Sequence, residues 1–190
     1  MKPVKVLFTL ILVLVSNTSF AQVLTDEEKK LYDLIMEYRN ENGLPDIPFS
    51  KSLTYVAQTH VKDLYNNRPN NGNCNLHSWS SNGNWTPCCY TPDHAQAKCM
   101  WSKPSELTSY KGYGYEIASE KFYSIGFGNE VLSDYSITAG DALDIWKRSP
   151  GHNAVILNLG KWNDLHWNAI GIGMFKGFAV VWFGEEYDLE

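Results

Sequence analysis

Apolar residues recur at helical spacing in three stretches of the chain and run at strand spacing in a fourth. Leu31, Leu34, Ile35 and Tyr38 repeat three and four positions apart. Thr25-Asp26-Glu27-Glu28 has the form of a capping box ahead of them, and Asn42-Gly43 with Pro45 stops the run, which predicts a helix from about Thr25 to Asn42. Ser50 can cap a second helix with Leu53, Val56, Ala57, His60, Val61 and Leu64 on one face, ended by Asn66-Asn67-Arg68-Pro69. Lying in that apolar stripe, His60 reads as a hydrogen-bonded core histidine. A third helix, Thr138 to Trp146, takes Thr138 as cap and turns Ala142, Ile145 and Trp146 toward the core; Ser149-Pro150-Gly151 breaks it. Asn153 to Leu159 allow a short helical turn. Ala169 to Phe175, then Lys176-Gly177, then Phe178 to Phe183 read as strand, tight turn and strand. Residues 113–131 are ambiguous, and no internal repeat is present. Helices first and a hairpin last give the class α+β, with helices packed on an antiparallel sheet.

Periodicity vanishes from Asn70 to Gly114, where Gly, Asn, Ser and Pro accumulate beside Trp79, Trp85, Tyr90 and Trp101. A loop of this length inside a domain is expected to be functional or crosslinked. Its cysteines supply the means: Cys74, Cys88, Cys89 and Cys99 are all the chain has. Two disulfides are the expectation. A vicinal Cys88–Cys89 bridge is strained, which leaves 74–88 with 89–99, or 74–89 with 88–99. The alternative is a zinc knot drawn from Cys74, His77, Cys88, Cys89, His94 and Cys99.

The N-terminus decides the compartment. Met1, Lys2 and Lys5 precede an apolar run from Val6 to Val15, and Ser19-Phe20-Ala21 forms a small-residue cleavage site. This predicts a signal peptide over residues 1–21 and one mature domain over 22–190, secreted, periplasmic or otherwise extracellular, where disulfides persist. The apolar run is far shorter than the roughly 20 residues a membrane-spanning helix needs, so no transmembrane anchor is expected. With 190 residues, 44% hydrophobic, the chain can bury a sizeable core. Its net charge of −5 supplies no attraction to nucleic acid.

Three polar features carry candidate chemistry: His77 in Cys74-Asn75-Leu76-His77-Ser78, Glu116 in Gly114-Tyr115-Glu116-Ile117, and His152 in Ser149-Pro150-Gly151-His152-Asn153. Each is expected at a break in regular structure, where neighbouring glycines let a side chain be aimed into a cleft. Two imidazoles and a carboxylate suit Zn²⁺ or another divalent metal. Seven tryptophans and eleven tyrosines raise a second possibility, a surface for lipid, sterol or glycan, with Trp79, Trp85 and Trp101 as candidates.

In order along the chain, the first helix, Ala57-Gln58-Thr59-His60, Cys74 to Ser78, Tyr113 to Ala118, Trp146 through Ser149-Pro150-Gly151-His152 to Ile156-Leu157-Asn158, and the Ala169-Ile170-Gly171-Ile172-Gly173 to Trp182-Phe183-Gly184 ending resemble the CAP superfamily, the cysteine-rich secretory, antigen 5 and pathogenesis-related 1 proteins, in its bacterial form. The resemblance implies a three-layer α-β-α sandwich with a central antiparallel sheet, and a cleft in which His77 and His152 are the two histidines and Glu116 the acid. Tyr115 and Ile117 stand where the family's Gly-Glu-Asn segment has Gly and Asn. Ser149 stands where a second acid is usual. The spacing from His77 to Glu116 marks residues 74–112, about, as a cysteine-containing insertion near the cleft. The expected function is extracellular binding or interaction with a lipid, glycan or protein, at a cleft able to hold a divalent metal. A metal-dependent hydrolase and a lipid, sterol or glycan binding module are the alternatives.

Overall fold

The computed structural model describes residues 23–127 and 130–189. The expected signal peptide lies outside them. Helix α1 spans Asp26–Glu41, and its capping box forms as expected: the Thr25 hydroxyl accepts from the Glu28 amide, and the Glu28 carboxylate accepts from the Thr25 amide at 2.8 Å. Helix α2, Lys51–Asn67, starts at Ser50, whose hydroxyl accepts from the Leu53 amide. Two five-residue helices follow inside the segment expected to be irregular, α3 (Ala97–Trp101) and α4 (Lys103–Leu107). Helices this short complete little more than one turn, so they leave no apolar period in the sequence.

Strand β1 (Gly114–Glu120) resolves part of the ambiguous stretch. Strands β2 (Phe122–Phe127) and β3 (Glu130–Tyr135) pair with each other, Phe122 opposite Tyr135. Helix α5 runs Ala139–Arg148 from the Thr138 cap. The Ser149-Pro150-Gly151 break is one residue wide: Pro150 opens a further helix, α6 (Pro150–Ile156), because a proline ring is tolerated in the first helical turn. His152 therefore sits in the first turn of a helix. The hairpin forms as expected from β4 (Ala169–Phe175) and β5 (Phe178–Gly184).

The main sheet is antiparallel with strand order β1-β5-β4, so β1 is an edge strand. Along β5 the side chains alternate between two cores. Ala179, Val181 and Phe183 pack with Leu31, Ile35, Trp146 and Ile156 from α1, α5 and α6. Phe178, Val180 and Trp182 pack with Leu53, Val56, Ala57 and Val61 from α2. A strand buried on both faces reads as a continuous apolar run, and its period of two divides that run between the layers. This is the α-β-α sandwich.

Close approach of α2 to the sheet depends on two glycines of β4. A Cβ on Gly171 would lie 2.1 Å from the Leu53 carbonyl carbon, and one on Gly173 2.4 Å from that of Ala57. Only hydrogen fits there, so helix backbone rests on strand backbone and the level of α2 along the sheet is fixed. His60, one turn beyond Ala57, is held at a fixed level beside β1.

Candidate functional site

Glu116 lies within β1, not at a turn as the flanking glycines suggested. Its neighbours Tyr115 and Ile117 face the α1/α5 core, so alternation turns Glu116 to the α2 face, where α2 carries His60. The insertion delivers a second histidine to the same carboxylate. His60 Nδ1 meets Glu116 Oε1 in a very short contact, and His77 Nδ1 meets Oε2 at 2.8 Å. The Glu116 and His60 side chains are wholly buried; His77 retains 17% exposure.

The protons of this cluster can be counted. The Ser78 carbonyl oxygen, 2.9 Å from His60 Nε2, can only accept, so that nitrogen carries a hydrogen. The Nδ1 contact with Oε1 then holds one proton between ring and carboxyl. Burial pushes the Glu116 carboxyl up, but His60 and His77 together hold it below the usual carboxylate range. One proton is thus shared in the His60–Glu116 contact, and the other Glu116 oxygen accepts the Nδ1–H of His77. That fixes the His77 tautomer and leaves its Nε2 as a lone pair at the cleft. His60 is thus the hydrogen-bonded core histidine expected, and in addition it anchors the acid of the site. Its ring stacks on Trp79 at 4.2 Å and 7°.

His152 stands opposite, its ring centre 6.4 Å from that of His77. Its Nδ1 is buried without a partner, which leaves Nε2 as the nitrogen open to the cleft. Burial, with the neighbouring His77, pushes this imidazole down to about 4, so it is neutral at pH 7. Sequence reasoning placed His77, Glu116 and His152 together, and the structure brings them together. What it did not find is the role of His60, because pairing α2 with β1 is a long-range event.

The cleft has a volume of about 600 Å³ and opens where β1 ends the sheet. Half-buried aromatic rings from three segments line one side: Trp101 of α3 is 5.7 Å from Tyr115 of β1, and Tyr115 is 5.1 Å from Trp162. Of the three tryptophans expected to offer a binding surface, only Trp101 lines the cleft. Trp79 is 2% exposed against His60, and Trp85 packs edge-on against Trp79. The turn carrying Lys161 and Trp162 is pinned from behind. Asn158, in the left-handed region at φ 50°, donates to the Leu165 carbonyl at 2.9 Å and accepts from Arg39 at 2.8 Å.

The insertion is fastened on the other side. Cys74 and Cys89 form a disulfide, and the Trp79–Cys88 backbone bridge closes the loop between them. Pairing of Cys74 with Cys89 rules out the 74–88/89–99 arrangement and removes two thiolates from the alternative zinc knot. The second expected bridge is not formed: Cys88 and Cys99 are free thiols. Cys88 and Cys89 are consecutive in an extended segment, so their side chains diverge, Cys89 toward Cys74 and Cys88 inward toward Cys99, whose thiol donates to the Pro87 carbonyl. Burial raises the Cys88 pKa well above the usual thiol range. Among the described residues, no group of three or more His, Cys, Asp or Glu side chains is arranged to hold a metal ion.

An α-β-α sandwich with two imidazoles and a buried glutamate at the edge of its sheet defines a class of protein. The cysteine-rich secretory protein family model matches residues 32–160, and the chain belongs to that family, CAP. Three solved structures share the fold. An outer surface protein of Borrelia burgdorferi aligns with a TM-score of 0.53 and 19% identity over 86% of this chain and 96% of its own. An extracellular protein containing an SCP domain from Bacillus anthracis gives 0.56 and 16%, over 84% of this chain and 40% of its own. A cysteine-rich secretory protein of Staphylococcus aureus gives 0.50 and 13%, over 84% and 39%. The chain thus spans well under half the length of the latter two. No curated protein sequence matches it. The family is typically extracellular, and no helix among the described residues is long and apolar enough to cross a membrane.

Proposed function

We propose that this is an exported binding protein, released by cleavage after Ala21, whose central cleft holds its ligand at the His77/His152 pair and takes a divalent cation such as Zn²⁺ there. The observation that carries the reading is the treatment of His77: Glu116 grips its Nδ1 at 2.8 Å and turns Nε2 outward, the carboxylate–imidazole arrangement that orients a metal-binding histidine. His152, neutral at pH 7, supplies a second donor of the same kind.

By type these donors fit Zn²⁺, which would supply a Lewis acid at the cleft when bound. By number they are few. Glu116 has both oxygens engaged and acts behind His77. In a tetrahedral site with Zn–N bonds of about 2.0–2.1 Å, two imidazole centres stand roughly 5 Å apart, closer than the 6.4 Å here. The pair is a weak site on its own, completed by oxygens of a ligand. Binding is favoured over hydrolysis for the same reason: neither Glu116 oxygen is free to take a proton from water.

Calorimetric titration with zinc chloride tests this. The wild type binds with a Kd on the order of 1 μM or weaker, and His77→Ala and His152→Ala each abolish the heat. Heat that persists in both variants, or none in the wild type, overturns the cation reading.

A further inference from the structure

We infer that the ligand of this cleft is an acidic oligosaccharide, its sugar rings resting against Trp101, Tyr115 and Trp162 and its carboxylate or sulfate meeting Lys161. This rests on the reading of the cleft as a ligand site and adds the class of ligand.

The first observation is the aromatic wall. Three rings from three separate segments meet at interplanar angles of 58° and 73°, 5.7 and 5.1 Å between centres, and are half-buried on an open cleft. Rings needed only for the core are buried, as Trp79, Trp146 and Trp182 are. Flat apolar faces with polar edges suit the C–H face of a pyranose. The volume of about 600 Å³ falls in the range of small-ligand sites, which is roughly 300–1,000 Å³.

Charge is the second observation, and it is independent of the first. The chain carries a net charge of −5, yet the single acid lining the cleft is Glu116, with both oxygens committed to His60 and His77. The other polar side chains at the cleft include Asn75, His77, Tyr90, His94, Tyr115, His152 and Lys161, whose Nζ lies 4.8 Å from the centre of the Trp162 ring. An anionic sugar finds an ammonium beside its stacking surface.

Preorganisation is the third. Asn158 and Arg39 hold the turn that carries Lys161 and Trp162, so little ordering cost falls on binding.

The test uses the metal-free protein and its tryptophan fluorescence, titrated with trigalacturonate, sulfated lactose and neutral cellotriose. The expected result is quenching by at least one acidic sugar at tenfold or more lower concentration than by cellotriose. Lys161→Met brings acidic and neutral sugars to parity, and Trp162→Ala weakens all of them tenfold or more. Should Trp162→Ala fail to fold, the exposed Lys161→Met carries the test alone. Equal binding of acidic and neutral sugars, binding to none, or saturable quenching by phosphatidylcholine vesicles in their place overturns the inference. Zinc titration of the same preparation separates the two readings: zinc bound without sugar removes the ligand class and leaves the imidazole site standing, whereas sugar bound without zinc does the reverse.

Discussion

Glu116 accepts the Nδ1–H of His77 at 2.8 Å while its other oxygen is held by His60, so a histidine of the helical core sets the tautomer of a histidine of the cleft. Removing the carboxylate leaves the Nδ1 atoms of His60 and His77 without a partner in a largely buried site. Glu116→Ala should therefore cost about 2–6 kcal/mol, roughly 1–3 for each ring nitrogen left unpartnered. Glu116→Gln behaves differently: its amide N–H can donate to a neutral His60 and its carbonyl can accept from His77. A cost of about 1–2 kcal/mol is expected. Urea denaturation checks the ranking, and equal losses in the two variants would contradict the proton count.

Stability should fall with acid in two stages. His152 is pushed down to about 4 in the folded protein from an unfolded value of 6.5, so the unfolded chain binds the extra proton and stability is lost as pH falls from 6.5 toward 4. Glu116 is held below its unfolded value of 4.5, so its contribution is complete above 4.5 and is lost as pH falls through the lower folded value. Thermal denaturation across pH 3–8 follows both stages. His152→Asn should flatten the upper stage and leave the lower.

Gly171 and Gly173 admit no side chain. Gly171→Ala places a methyl carbon 2.1 Å from the backbone of Leu53, and forcing the helix off the strand should cost about 1–3 kcal/mol or more. Gly151, with open space around its position, provides the control: Gly151→Ala should leave the melting temperature within a degree or two.

The Cys74–Cys89 bridge closes a loop of 15 residues, for which chain entropy gives about 3 kcal/mol. The double variant Cys74→Ser/Cys89→Ser should lose about that much. Alkylation of the native protein should modify the partly exposed Cys99 well before the buried Cys88, read by peptide mass.

The long helices were legible because their caps and stripes are local. Thr25 with Glu28, Ser50 and Thr138 all do what their spacing implies. The hairpin was legible because β5 is apolar at every position. His77, Glu116 and His152 were legible as a set only through the family resemblance, since 39 residues separate the first two and nothing local joins them. Three features escaped. His60 looked like core because it is core; its second role exists only once β1 lies beside α2. Tyr115 and Trp162 became a wall only when β1 proved to be the sheet edge. Cysteine pairing was open because both arrangements suit the sequence, and the bridge between Trp79 and Cys88 decides which sulfur faces which.

The seating of α2 on two side-chain-free positions of β4 has a consequence for how this cleft can change. Its base, where His60 meets Glu116, belongs to a joint of two backbones in contact, and any slippage there separates base from acid. Its sides belong to the disulfide-closed segment, which grips that joint through His77, Ser78 and Trp79, and to the turn after α6, whose Lys161 and Trp162 lie away from it. New recognition properties can accordingly arise by rewriting the turn after α6 while the joint beneath stays untouched.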